Sequence, residues 1–145
     1  MVYLDKIGDR KTMINVALID DEELALLEME FLLKEYPCIH MLGKFTDPAE
    51  ALETIGGLKP DAVFIDINMP QLGGVELAKK IRENMSKTNV IFVTAYEQYA
   101  VEAFQVEAMD YLLKPVSKKR LDETIMRLMR REGLGVPMRQ EVLEI

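Results

Sequence analysis

The segment Ala62–Gly74, AVFIDINMPQLGG, decides the fold: an apolar, β-branched run stops on one carboxylate, Asp66, and the chain then turns through Met69, Pro70 and a glycine pair. A lone aspartate after a strand is most simply a turn former or a helix cap, because its side chain bonds its own downstream backbone. Three other apolar runs, however, end on residues with chemistry: NVALI on Asp20 and Asp21, VIFV on Thr94, and DYLL on Lys114. In an open parallel sheet the carboxyl ends of the strands border the crevice where ligands of α/β folds bind. The four strand ends therefore predict one cleft holding three carboxylates, a hydroxyl and an ammonium.

Bulk properties agree with such a fold. A chain of 145 residues, 49% hydrophobic and 30% charged, suits one soluble domain with a real core and leaves no room for a second. The net charge of -7 opposes nucleic-acid binding through bulk electrostatics, since phosphate backbones attract basic surfaces. From Ser117 onward seven Lys or Arg face five Asp or Glu, so the acid sits in the body of the fold. Cys38, the only cysteine, excludes an internal disulfide and a Cys-rich metal site and fits a reducing cytosol. No apolar run reaches membrane-spanning length, and the start does not read as a signal peptide.

Along the chain, residues 1–12 show no sustained period and read as an extension or an early start. Ile14–Ile19 reads as a buried strand, and Glu22–Tyr36 as a helix with Leu24, Leu27 and Phe31 on its apolar face, stopped by Pro37. IHMLGKF alternates as a second strand. Asp47 then caps a helix with Pro48 at its first position and Glu50 three after the cap, ended by Gly56 and Gly57. After the strand Asp61–Ile65, a helix over Gly74–Asn84 buries Val75, Ala78 and Ile81. The strand Val90–Val93, a helix around Tyr96–Phe104 and the strand Tyr111–Leu113 follow. Ser117 caps the last helix, which carries Leu121, Ile125 and Leu128 at helical spacing and ends in Arg127, Arg130 and Arg131. Residues 132–145 read as a tail or linker. Five strands alternating with five helices predict a doubly wound parallel sheet covered on both faces.

Three clustered carboxylates repel one another by roughly 3 kcal/mol per pair at about 5 Å and an effective dielectric near 20. Something positive must offset this. An oxygen-only site of carboxylates and a backbone carbonyl suits a hard divalent cation such as Mg2+, and Lys114 adds a fixed positive charge. Metal, lysine and hydroxyl around a carboxylate form a phosphoryl-transfer site, with Asp66 as the nucleophile that accepts the group as an acyl phosphate.

On these residues the chain resembles the receiver domain of two-component response regulators over Met13–Arg131. The matching features are Asp20 and Asp21 after the first strand, Asp66 with Met69, Pro70 and Gly74 behind it, Thr94 followed by the small Ala95, and Lys114 followed by Pro115. The resemblance implies the flavodoxin-like strand order 2-1-3-4-5. It implies that Asp66 accepts phosphate from a histidine kinase, that Asp21 and Asp66 ligate Mg2+ with the Asn68 carbonyl, and that Asp20 holds a metal-bound water. Thr94 and Lys114 would hold the phosphoryl oxygens, and Tyr111 would be the aromatic whose rotamer reports phosphorylation. Tyr96 falls at the cleft rim, where receivers control the access of water to the acyl phosphate. The run TAYEQYAVEAFQVEAMDYLLKPVS further resembles receivers of LytTR-type regulators. DNA would then be contacted only through an effector domain that these residues do not contain.

Rival readings of the same residues are weaker. Asp20 and Asp21 could cap the helix that follows, which metal binding does not forbid. Lys114 could be a solvated residue before Pro115, Thr94 a plain strand end, and Tyr111 a packing residue between leucines. His40 reads as a surface or core residue, Cys38 as an inert small hydrophobe, and the methionines as core filler. An FMN carrier would share the fold, but DDEE after the first strand would repel its phosphate. A haloacid-dehalogenase-type phosphatase also uses an aspartyl phosphate and Mg2+, yet it wants an acid where this chain has Asn68. For output, Glu97, Glu102 and Glu107 near the fourth helix complement Lys118, Lys119, Arg120 and Arg127 of the fifth. This predicts a salt-sensitive homodimer through the fourth helix, fifth strand and fifth helix.

Overall fold

The computed structural model describes residues 11–69 and 72–134. Most of the extension at residues 1–12 and of the tail at 132–145, together with Pro70, lies outside them. Five strands, β1 (Ile14–Ile19), β2 (Ile39–Phe45), β3 (Ala62–Ile65), β4 (Asn89–Thr94) and β5 (Asp110–Leu113), form one sheet. Their order is β2-β1-β3-β4-β5 and every pairing is parallel. The helices are α1 (Glu23–Leu33), α2 (Pro48–Leu58), α3 (Gly74–Asn84), α4 (Ala100–Gln105) and α5 (Lys118–Arg131), with a 3-10 turn over Glu97–Tyr99 ahead of α4.

The unbroken apolar runs of the central strands follow from burial on both faces. On β1, Ile14, Val16 and Leu18 face a core layer shared with Leu26 and Leu33 of α1 and Leu121, Ile125 and Leu128 of α5. Ala17 and Ile19 face the opposite layer, built with Ile55 of α2 and Leu77 and Ile81 of α3. Strand alternation thus feeds two cores from one sequence.

Local signals place most element ends. Asp47 Oδ1 accepts from the Ala49 amide at 3.0 Å, and Ser117 Oγ from the Arg120 amide at 3.1 Å. Three expectations need correction. The apolar face assigned to α1 is its outer one: Leu24, Leu27 and Phe31 are 68%, 52% and 69% exposed, whereas Leu26, Met29 and Leu33 are buried. Apolar residues surround this helix, so their period does not select a face; packing on the sheet does. Gly56 and Gly57 do not end α2, which runs on to Leu58 and closes on Lys59 in the left-handed region at φ 50°. Burial of Ala51 and Ile55 outweighs the cost of about 1 kcal/mol per internal glycine. The third is α1's end at Leu33, short of Tyr36. Cys38 is buried, and burial pushes its thiol up from the ordinary range, as an inert hydrophobe requires.

Candidate functional site: an acidic cleft at the carboxyl ends of the strands

β1, β3, β4 and β5 deliver Asp20, Asp66, Thr94 and Lys114 to one edge of the sheet. Asp20, Asp21 and Asp66 each offer a carboxylate oxygen, all within 4.8 Å of one another. Lys114 Nζ lies 2.8 Å from Asp20 Oδ2 and 3.5 Å from Asp66 Oδ2. Asp20 Oδ1 accepts from the Glu22 amide at 2.9 Å, so both of its oxygens are engaged. This bond closes the turn into α1, and Asp20 therefore combines helix-entry and cleft roles, as the capping alternative allowed.

Asp66 is held more loosely. Its Oδ1 takes the Asn68 amide at 3.2 Å, and Lys114 is its distant second contact. Burial and the negative charge of Asp20 raise its carboxyl above the ordinary range, against the pull of Lys114 and the Asn68 amide. Burial lowers the Lys114 ammonium, but hydrogen bonding and attraction from Asp20 and Asp66 outweigh it and leave a net rise. Asp21 and Asn68 are both exposed.

Thr94, fully buried, accepts the Tyr96 amide on Oγ1 at 3.3 Å. The Tyr96 carbonyl in turn accepts the hydroxyl of Tyr111, whose ring meets Phe92 edge-on with centroids 6.4 Å apart. One peptide segment therefore bridges Thr94 and Tyr111. Tyr96 itself is exposed and packs at right angles on Tyr99.

Two features of the site go beyond the sequence reading, the first being the reason for Gly74, which was named only as part of the motif behind Asp66. A Cβ on Gly74 would sit 2.2 Å from the Asp66 carbonyl oxygen and 2.6 Å from Ile67 Cα, so only glycine lets α3 start against the Asp66 turn. The Gly74 amide bonds the Ile67 carbonyl at 2.8 Å and fixes that turn. The glycine pair was the available signal. The second is a groove of about 690 Å3 that runs from Asp66 and Lys114 along α1, bordered by Leu24, Leu27, Phe31 and Val116.

The donor set fits a hard divalent cation: carboxylate oxygens, no nitrogen or sulfur, and one fixed ammonium short of neutralising three acids. Asp20, Asp21 and Asp66 are the residues that could hold it.

A family model described as the response regulator receiver domain matches residues 16–126. The chain belongs to this family. Among curated relatives of the receiver, an uncharacterised response regulatory protein of Vibrio cholerae is 47% identical over 118 residues, 81% of this chain and 49% of the relative. The sensory transduction protein LytT of Bacillus anthracis is 35% identical over 130 residues, 90% of this chain and 53% of the relative. The response regulatory domain of mrkE from Klebsiella pneumoniae superposes with a TM-score of 0.77 at 36% identity, covering 83% of this chain and 98% of that domain. The receiver spans about half the length of the curated relatives it matches. The family match and the observed strand order bear out the resemblance and the fold expected from the sequence, and nothing in them favours a haloacid-dehalogenase phosphatase. Among the described residues no helix is long and apolar enough to cross a membrane.

Proposed function

We propose that this receiver, over residues 13–131, is a phosphorylation-controlled signalling module of the cytoplasm that takes a phosphoryl group on Asp66 from a sensor histidine kinase. The observation that carries the reading is the unequal tethering of the two buried acids. Asp20 has both oxygens engaged at 2.8 and 2.9 Å, while Asp66 has only contacts of 3.2 and 3.5 Å and a carboxyl made more basic by its surroundings. Asp66 is therefore the carboxylate with a lone pair to offer.

In the transfer, an Asp66 oxygen attacks phosphorus in line with the kinase's imidazole, which leaves as the P–N bond breaks, and an acyl phosphate forms. Lys114 exchanges its long contact with Asp66 for the phosphoryl oxygens while keeping Asp20. The Thr94 hydroxyl donates to another phosphoryl oxygen. Asp21, Asp66 and the Asn68 carbonyl would hold Mg2+, with Asp20 on a metal-bound water, and the ion would supply charge neutralisation on the transferred group. Attack of water on phosphorus breaks the acyl P–O bond, releases inorganic phosphate and returns the Asp66 carboxylate, so the module dephosphorylates itself and turns over no external substrate. The groove beside α1 gives a docking place for the phosphodonor, since its apolar border adjoins Asp66.

Engagement of Thr94 by the phosphoryl group disturbs its bond to the Tyr96 amide and, through the Tyr96 carbonyl, the position of Tyr111. The surface of α4, β5 and α5 would then favour a second copy of the chain. Relatives whose matched part is about half of their length include transcriptional regulatory proteins of Salmonella typhi and Escherichia coli, and transcriptional control through a DNA-binding effector domain is the output proposed here. The deciding experiment is intact-mass measurement after acetyl phosphate and Mg2+ treatment. One added phosphoryl group that is lost in Asp66→Asn supports the reading; a variant that still gains it puts the acceptor elsewhere.

A further inference from the structure

The end of the sheet opposite the acidic cleft carries a second polar cluster, and it is centred on Asn89. Asn89 opens β4, the strand that ends on Thr94, and it is buried. Its side chain joins three chain segments. Nδ2 donates to the Asp61 carbonyl at 2.9 Å and to Glu132 Oε2 at 3.0 Å, and Oδ1 accepts from Arg131 Nη1 at 3.0 Å. Asp61 is itself fixed from two sides. Its carboxylate accepts the Asn15 amide at 2.7 Å and pairs with Lys11 at 2.7 Å, and Lys11 also lies 3.7 Å from Glu132.

Arg131 and Glu132 are the last helical residue of α5 and its cap. Basic residues at a helix end are explained by the dipole alone, but the dipole does not require a partner on the sheet. Beyond them the chain reverses at Gly133 with φ 78°, and the Leu134 amide returns to the Met129 carbonyl at 2.8 Å while its side chain packs on the core. The exit is thus tied down twice, by its own turn and by Asn89.

We propose that Asn89 is a latch that fastens the C-terminal end of α5 to the base of the sheet and fixes the direction in which the chain leaves the domain. An amide side chain suits the task because it donates to an acid and accepts from a base at once, bonding the oppositely charged neighbours Glu132 and Arg131 through one planar group. An aspartate would repel Glu132, and an aliphatic residue would leave the Asp61 carbonyl and Arg131 without this partner. Leu134 is therefore an anchored point of exit at the base of β4, the strand whose other end carries Thr94. The latch does not depend on phosphorylation.

Hydrogen exchange on the whole 145-residue chain tests this, comparing Asn89→Leu, Arg131→Ala and Glu132→Ala with the wild type. The amides of Glu132, Gly133 and Leu134, each hydrogen-bonded into the last turn of α5, should exchange faster by on the order of tenfold in Asn89→Leu. Arg131→Ala and Glu132→Ala should show the same local effect at smaller size. Amides of Ile65 and Phe92 in the central strands should keep their protection. Unchanged exchange at those three amides overturns the proposal, as does an even loss of protection through the sheet, which would make Asn89 a general stability residue. Should Asn89→Leu fail to fold, Arg131→Ala and Glu132→Ala decide, and no local change in either overturns the latch.

Discussion

Lys114 Nζ stands 2.8 Å from Asp20, nearer than the 3.5 Å that separates it from Asp66. Without metal, the lysine therefore neutralises the acid that is not the proposed acceptor, and Asp66 keeps an incompletely compensated charge. Asp66→Asn removes one member of the repelling cluster and leaves the Lys114–Asp20 pair intact. The metal-free variant should be more stable by ~1 kcal/mol, a rise of about 3 °C in melting temperature for a domain of this size. Thermal melts in chelator measure it. A lower melting temperature would mean that the Asn68 and Lys114 contacts of Asp66 stabilise more than the acids repel.

Mg2+ should raise the melting temperature of the wild type, since a ligand of the folded state alone stabilises it, by ~2.7 kcal/mol at 100 times its Kd. Asp21 is exposed and supplies no core packing, so Asp21→Ala should abolish most of the shift with little change in the metal-free melt. Paired melts in Mg2+ and in chelator separate the two effects. A wild type indifferent to Mg2+ would assign the acids to helix entry alone.

Gly74→Ala should be far more harmful than its size suggests. The new Cβ would lie 2.2 Å from the Asp66 carbonyl oxygen, a backbone atom that cannot turn aside as a side chain can. A cost of ~3 kcal/mol is expected from overpacking at a fixed turn. The folded fraction should also label slowly with acetyl phosphate, because the displaced turn carries Asp66. Normal labelling per folded molecule would show that the turn shifts without moving the carboxylate.

Strand ends were legible because a doubly wound sheet requires apolar runs to stop where the ligand crevice begins, and Asp20, Asp66, Thr94 and Lys114 all stop such runs. Pairing among distant side chains was not. The outward face of α1 was missed because Leu24 and Phe31 are as apolar as Leu26 and Leu33, leaving the sheet to choose between them. Asn89 and Glu132 are 43 positions apart and carry no local signal. The same holds for the cations of α5, read as free to meet a second molecule. Lys118 in fact pairs with Glu35 at 2.5 Å, and Arg120 and Arg127 both hold Asp110.

That Asp110 cluster gives a pH dependence. Burial pushes the carboxyl up, but hydrogen bonds from Arg120, Thr124 and its own neighbour Tyr111 outweigh burial and hold it below the usual range. A depressed folded-state value contributes stability above the unfolded carboxyl range, about 3.9, and that stability is lost as pH falls through the folded value. Asp110→Asn should cost ~2 kcal/mol at pH 7, discounted for the partial exposure of both arginines. The difference between variant and wild type should shrink below about pH 4. Urea melts at pH 7 and pH 3.5 provide the comparison; an equal difference at both would mean that packing, not charge, is lost.

Internal pairing also changes what a dimer through α4, β5 and α5 would rest on. With Lys118, Arg120 and Arg127 engaged at home, Lys119 is the one cation of that set without an ion pair among the described residues, and the larger attraction left on this surface is apolar: Phe104 is 84% exposed, Val101 66% and Leu113 43%. Burial of such groups is not weakened by salt, whereas exposed ion pairs are screened within about 8 Å at physiological ionic strength. The salt-sensitive dimer suggested by the charge pattern should therefore give way to one that persists at high salt. Light scattering on the beryllofluoride-treated protein with Mg2+ should show a dimer at both low and high ionic strength. Phe104→Glu, a change at a side chain already in solvent, should return it to the monomer by at least a tenfold weakening, about 1.4 kcal/mol. A dimer dissolved by salt and untouched by Phe104→Glu would restore the ionic reading, and a monomer under every condition would move the output to another face.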